Sequence, residues 1–75
     1  MYFMTTKQIS GFYRDLREDV RNARTPKALK ILESRSLNFV RQVSGPEIKS
    51  SLRKKALQEH RKTMKLISSM RKKLK

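Results

Sequence analysis

Residues 50–75 read SSLRKKALQEHRKTMKLISSMRKKLK, and whether they form a helix or a solvated tail decides the fold. The stretch holds ten Lys or Arg and one acid, Glu59. A basic tail needs no order among its apolar residues. Here Ile48, Leu52, Ala56, Leu66, Ile67, Met70 and Leu74 fall in one arc of a helical wheel, the mark of one buried face on a 3.6-residue repeat. The spacing predicts a helix from about residue 47 to residue 73. Its midpoint is weak, because Glu59 and Thr63 occupy seam positions.

The cations follow the same wheel. Lys54, Arg61, Lys65 and Lys72 are separated by seven, four and seven residues and share one stripe. Lys55, Lys62 and Lys73 form a second stripe beside it, and both lie opposite the apolar arc. Lysines on a helix usually mark a solvated face. A single acid among ten bases leaves almost no pairing within the helix, which favours a face presented to an anionic partner.

Working outward, MTTKQI (residues 4–9) is a helix start. Thr5 and Gln8 have the spacing of a capping box, flanked by Met4 and Ile9 as a hydrophobic staple. Ile9, Tyr13, Leu16, Val20 and Ala23 then step by four, three, four and three, and Phe12 widens the stripe. Gly11 within this helix costs about 1 kcal/mol relative to Ala. RTPKAL (residues 24–29) closes one helix and opens the next, with Thr25 as cap and Pro26 at the first helical position, where its missing N–H is no loss. Leu29, Leu32, Ser36, Phe39 and Val43 make the second stripe, broadened by Ala28 and Val40. Ile31 and Leu37 fall off it on opposite flanks, which hints at a second contact surface. VSGPEI (residues 43–48) offers a further capping box, Ser44 with Glu47, and a staple, Val43 with Ile48. Alternatively Gly45 closes the second helix in a left-handed conformation.

The expected fold is all-α: a small three-helix bundle, or a helical hairpin with a long basic third helix. It forms a single helical domain over residues 1–75, with helices at about 6–24, 26–43 and 47–73. At ~1.5 Å per residue the first two helices span roughly 28 Å and the third could reach roughly 42 Å. That mismatch predicts that the third helix, from about His60, overhangs the bundle, pairs with a second copy or frays.

The chain has 20 basic and six acidic residues, a net charge of +14. Residues 45–75 carry eleven of the bases and two of the acids. Such an excess repels itself in the compact state and draws anionic partners. On the first helix Arg14, Arg17, Arg21 and Arg24 line one flank of the apolar stripe, and Asp15, Glu18 and Asp19 line the other. The arginines read either as a second phosphate-contacting edge or as partners for their own carboxylates, for example Arg14 with Glu18. The acidic flank is placed to face the basic third helix or a second subunit.

There is no Cys, one His and no Gly-rich loop, so no cofactor or metal is expected. No nucleophile–base pair or metal-ligand set supports an enzyme. His60 is expected at the surface. Met64 and Met70 are read as packing residues rather than as a calmodulin-type target, and Phe12, Tyr13 and Phe39 as core rather than base-stacking platforms. The best reading is a small nucleic-acid-binding protein in an accessory, architectural or regulatory role, with duplex DNA favoured over RNA. It contacts phosphates through Lys54, Lys55, Arg61, Lys62, Lys65, Lys72 and Lys73, joined by Arg14, Arg17, Arg21 and Arg24. VSGPEI would suit a helix-turn-helix turn, but the second helix is about twice the length that motif allows. A structured-RNA or ribosome-associated protein has the same composition. A cationic membrane-surface protein is a further alternative, weakened by the absence of Trp. So is a helical adaptor for an acidic partner, with a homodimer through the third helix. Four apolar residues at the start are too few for a leader or a membrane span, so the expected location is cytoplasmic or nucleoid-associated.

Overall fold

The computed structural model describes residues 5–43, 45 and 48–74. Three helices follow in order: α1 (Thr6–Asn22), α2 (Pro26–Val43) and α3 (Ser50–Lys73). They pack side by side in a body 42 × 19 × 18 Å. No strand occurs among the described residues. No helix is long and apolar enough to cross a membrane.

Each boundary has a local cause. At the start of α1 the capping box forms: the Gln8 N–H donates to Thr5 Oγ1 at 3.2 Å, and the Thr5 N–H donates to Gln8 Oε1 at 3.0 Å. The helix ends at Asn22, two residues before the expected end, with Ala23 turned to an extended conformation. Pro26 keeps the helix from running on past Thr25, since it biases the residue before it away from helical dihedrals and brings no N–H to continue the ladder. Thr25 then caps α2, its Oγ1 accepting from the Ala28 N–H at 3.1 Å.

The entry to α3 differs from expectation. The helix begins at Ser50 rather than near 47, and its N-cap Lys49 offers no side-chain cap. The proposed Ser44–Glu47 box lies outside the described residues. Gly45 does not adopt the left-handed conformation, since no described glycine has a positive φ. Its carbonyl instead accepts from the Ile48 N–H at 3.1 Å, which makes the turn.

The expected stripes become the core. Ile9, Tyr13, Leu16 and Val20 of α1 meet Leu29, Leu32 and Val43 of α2 and Ala56 and Ile67 of α3, all buried. Phe12 and Phe39 stack with ring centroids 3.9 Å apart, and Tyr13 packs edge-on to both. Edge-on pairs such as those of Tyr13 add to the energy of burial alone. Short connections make successive helices antiparallel. Contacts between α2 and α3 agree: Ser36 meets His60, and Glu33, earlier in α2, meets Arg71, later in α3. Consequently α1 and α3 run in the same direction.

The third helix does not overhang from His60. Thr63 is fully buried and Ile67 is 2% exposed, while Met64, Leu66, Met70 and Leu74 pack against the core. The reason is an offset between the partners. Arg17, near the end of α1, lies against Glu59, whereas Glu33, in the second turn of α2, reaches Arg71. The α1–α2 connection therefore sits beside the last turns of α3, and the two short helices together cover a length neither could cover alone.

Candidate nucleic-acid interface

Seen along its axis, α3 has three sides. One faces the core. Lys54, Arg61, Lys65 and Lys72 stand on the side turned away from it, all exposed. None of the four forms an ion pair among the described residues. The surface at Lys54, Leu57, Gln58 and Arg61 is a shallow open depression. It has no walls to enclose a small ligand.

The flank toward α1 carries Lys55, Lys62 and Lys73. Lys62 and Lys73 are exposed. Lys55 is half-buried, with Nζ 3.2 Å from Glu59 Oε1. The other oxygen of Glu59 accepts from the guanidinium of Arg17 across the α1–α3 seam. Glu59 is itself only 4% exposed. Burial alone would raise its pKa, but the hydrogen bonds and charges of Arg17 and Lys55 outweigh that and hold the carboxyl below its ordinary 4.5. The seam position that looked weakest in the helical pattern is thus the anchor between α1 and α3. Its backbone carbonyl also accepts from Thr63 Oγ1 at 2.8 Å, which satisfies the other polar seam residue.

The arginine flank of α1, not its acidic flank, faces α3. A helix places residues three and four apart on one side, so Arg14 and Arg21 share that flank with Arg17. Asp15, Glu18 and Asp19 are exposed. The anticipated Arg14–Glu18 pair does not form; Arg14 Nε lies 3.7 Å from Asp15 Oδ1 instead, with both side chains largely in solvent. Arg21 and Arg24 are exposed and outside any ion pair among the described residues. Of the eleven predicted contact residues, Arg17 and Lys55 are tied to Glu59, and the other nine are exposed.

The opposite flank of α3 is closed differently. Arg71 donates to Glu33 at 2.7 Å, a pair the sequence reading did not anticipate. Deeper in the same seam a polar chain crosses the bundle. The Tyr13 hydroxyl donates to the Ser36 carbonyl at 3.3 Å, and the Ser36 hydroxyl donates to the Tyr13 oxygen at 3.0 Å. Ser36 Oγ also lies 2.6 Å from His60 Nδ1, within hydrogen-bonding distance. His60 is therefore half-buried and engaged, contrary to the surface role expected for it. Burial pushes its pKa below 6.5, against a weaker upward pull from the charge of Glu33. Burial likewise pushes the Tyr13 hydroxyl up; the Ser36 hydrogen bond opposes this and the charge of Glu59 adds to it.

No family model, characterised protein or solved structure matches this chain, so the arrangement of its own side chains is what bears on its activity.

Proposed function

We propose that this protein binds nucleic acid, with duplex DNA as the preferred form, by laying the outer face of α3 along the phosphate backbone. The observation that carries the reading is the row Lys54, Arg61, Lys65 and Lys72, exposed and without carboxylate partners among the described residues, on a helix whose opposite face is locked into the core. Such a row meets a line of phosphates without first breaking internal pairs. Each phosphate it neutralises releases condensed counterions, which supplies affinity without reading bases. The role that fits is accessory, architectural or regulatory.

Two further features support this choice. Phe12, Tyr13 and Phe39 are spent on one another, which leaves no free aromatic platform of the kind that grips single strands among the described residues. The apolar arc of α3, the part a lipid surface would take up, is buried against α1 and α2. The proposal needs no second copy of the chain.

Changing Lys54, Arg61, Lys65 and Lys72 together to Glu is expected to abolish a duplex gel shift while helical circular dichroism is kept. Undiminished binding by that variant would remove the reading. In direct competition at physiological salt, duplex DNA is expected to displace duplex RNA; the reverse order would move the proposal to structured RNA.

A further inference from the structure

The cations on the two sides of the α1–α3 seam are in register. Arg17 meets Glu59. On α1, Arg14 lies three residues before Arg17 and Arg21 four residues after it. On α3, Lys55 lies four residues before Glu59 and Lys62 three residues after it. Offsets of three and four keep each set on one flank. Because the two helices run the same way, Arg14 stands level with Lys55, and Arg21 with Lys62. The seam therefore presents two rungs of like charge, one on each side of a single sunken carboxylate.

That carboxylate is saturated by Arg17 and Lys55. Arg21 and Lys62 are exposed and have no acidic partner among the described residues, and Arg14 has only the solvated Asp15. Glu18, four residues after Arg14 and three before Arg21, is exposed beside them and pairs with neither among the described residues, so the cations outnumber their counter-charge and an incoming anion relieves the repulsion. The rungs are seven residues apart, about 10 Å along the helices. A phosphate of one strand occupies ~3.4 Å of duplex axis, so the interval spans about three phosphates. This suits a run of backbone better than one free anion. The α2 side of α3 carries less free charge: Arg71 is paired with Glu33, which leaves Arg53, eighteen residues earlier on the same face, as its exposed cation without an ion pair among the described residues.

We propose that the α1–α3 groove, with Arg21 and Lys62 as its free cations and Arg14, paired only with the solvated Asp15, beside them, holds a run of phosphates. The nucleic acid then lies across the α1 side of α3 rather than its α2 side. This inference rests on the nucleic-acid reading above and adds the direction and the second helix of the contact.

The test compares R21Q/K62Q with K30Q/R35Q. Each pair removes one Lys and one Arg; Lys30 and Arg35 are exposed on α2. The readout is fluorescence anisotropy of a labelled duplex DNA over a salt series, with circular dichroism to confirm that both variants are folded. Loss of two phosphate contacts should lower the magnitude of the slope of log affinity against log salt by about 2. The groove predicts that drop, with about tenfold or greater weakening, for R21Q/K62Q, and an almost unchanged slope for K30Q/R35Q. Equal losses in the two pairs, with wild-type binding intact, would overturn the groove and leave the α3 reading standing. Failure of the wild-type chain to bind duplex would bring down both together.

Discussion

On its α2 side, α3 meets its neighbour through an exposed Arg71–Glu33 pair and, beneath it, the neutral chain Tyr13–Ser36–His60. On its α1 side it meets Arg17 through a sunken carboxylate that Lys55 shares. The two seams answer one problem, how to pack a helix of very high positive charge, in different ways. The first finds a carboxylate for Arg71, leaves Arg53 exposed at its far end, and fills the interior with neutral hydrogen bonds. The second buries one acid as an anchor and leaves the remaining cations facing solvent. Among the described residues, every buried side-chain nitrogen and oxygen has a partner, so the fold itself asks nothing further of those cations. What remains on the α1 side is charge available to a ligand.

Several substitutions would break or sharpen that contrast. The largest effect is expected at Ile67, 2% exposed in the half of α3 predicted to overhang. Ile67→Ala should cost about 2–5 kcal/mol in urea unfolding; a change below about 0.5 kcal/mol, the size of an ordinary surface substitution, would mean that this part of α3 is undocked. Next is Arg17→Ala, which strips one partner from the sunken Glu59. Losing a partner of a buried charge costs about 3 kcal/mol, reduced here because Lys55 stays in place. Its counterpart, Arg71→Ala, breaks a half-exposed pair and should cost under about 1 kcal/mol. Equal losses at the two sites would erase the distinction between the seams.

The seams also separate in pH. For His60 the folded pKa lies below the unfolded 6.5, so the unfolded chain holds more protons between the two values and stability rises with pH across that window. The contribution is complete above pH 6.5 and declines as pH falls below it. For Glu59 the folded pKa lies below the unfolded 4.5, so its contribution is present above pH 4.5 and is lost only in more acidic solution. Urea midpoints measured from pH 7.5 to pH 3 should therefore decline in two stages. His60→Gln should remove the upper stage and leave the lower; persistence of both stages in that variant would contradict the α2-side assignment. The smallest effect belongs to Leu57→Ser, a change at a side chain 40% exposed on the outer face. It should alter stability by less than about 0.5 kcal/mol.

The helices and their inward faces were legible because caps and spacing are local. Thr5 with Gln8 and Thr25 before Pro26 announce helix starts within a few residues, and the α1 stripe of Ile9, Tyr13, Leu16 and Val20 is buried as read. The outer row of α3 was legible for the same reason, since one helix carries all of it. What one helix cannot reveal is its register against another. Glu59 was visible as a polar residue on a packing face, with Lys55 one turn earlier, but its partner Arg17 lies 42 residues away. Ser36 was likewise placed in the core while its bond to His60, 24 residues on, was not. Counting residues made α3 too long for its partners, because a length comparison omits the offset by which α1 and α2 cover successive parts of it.

The most direct test of the central claim is the salt dependence of duplex binding by the unaltered chain. A cationic face contacting about six phosphates should give a slope of log affinity against log salt near −5. A flat response would show that the exposed cations of α3 do not meet a phosphate backbone, whatever else the protein binds.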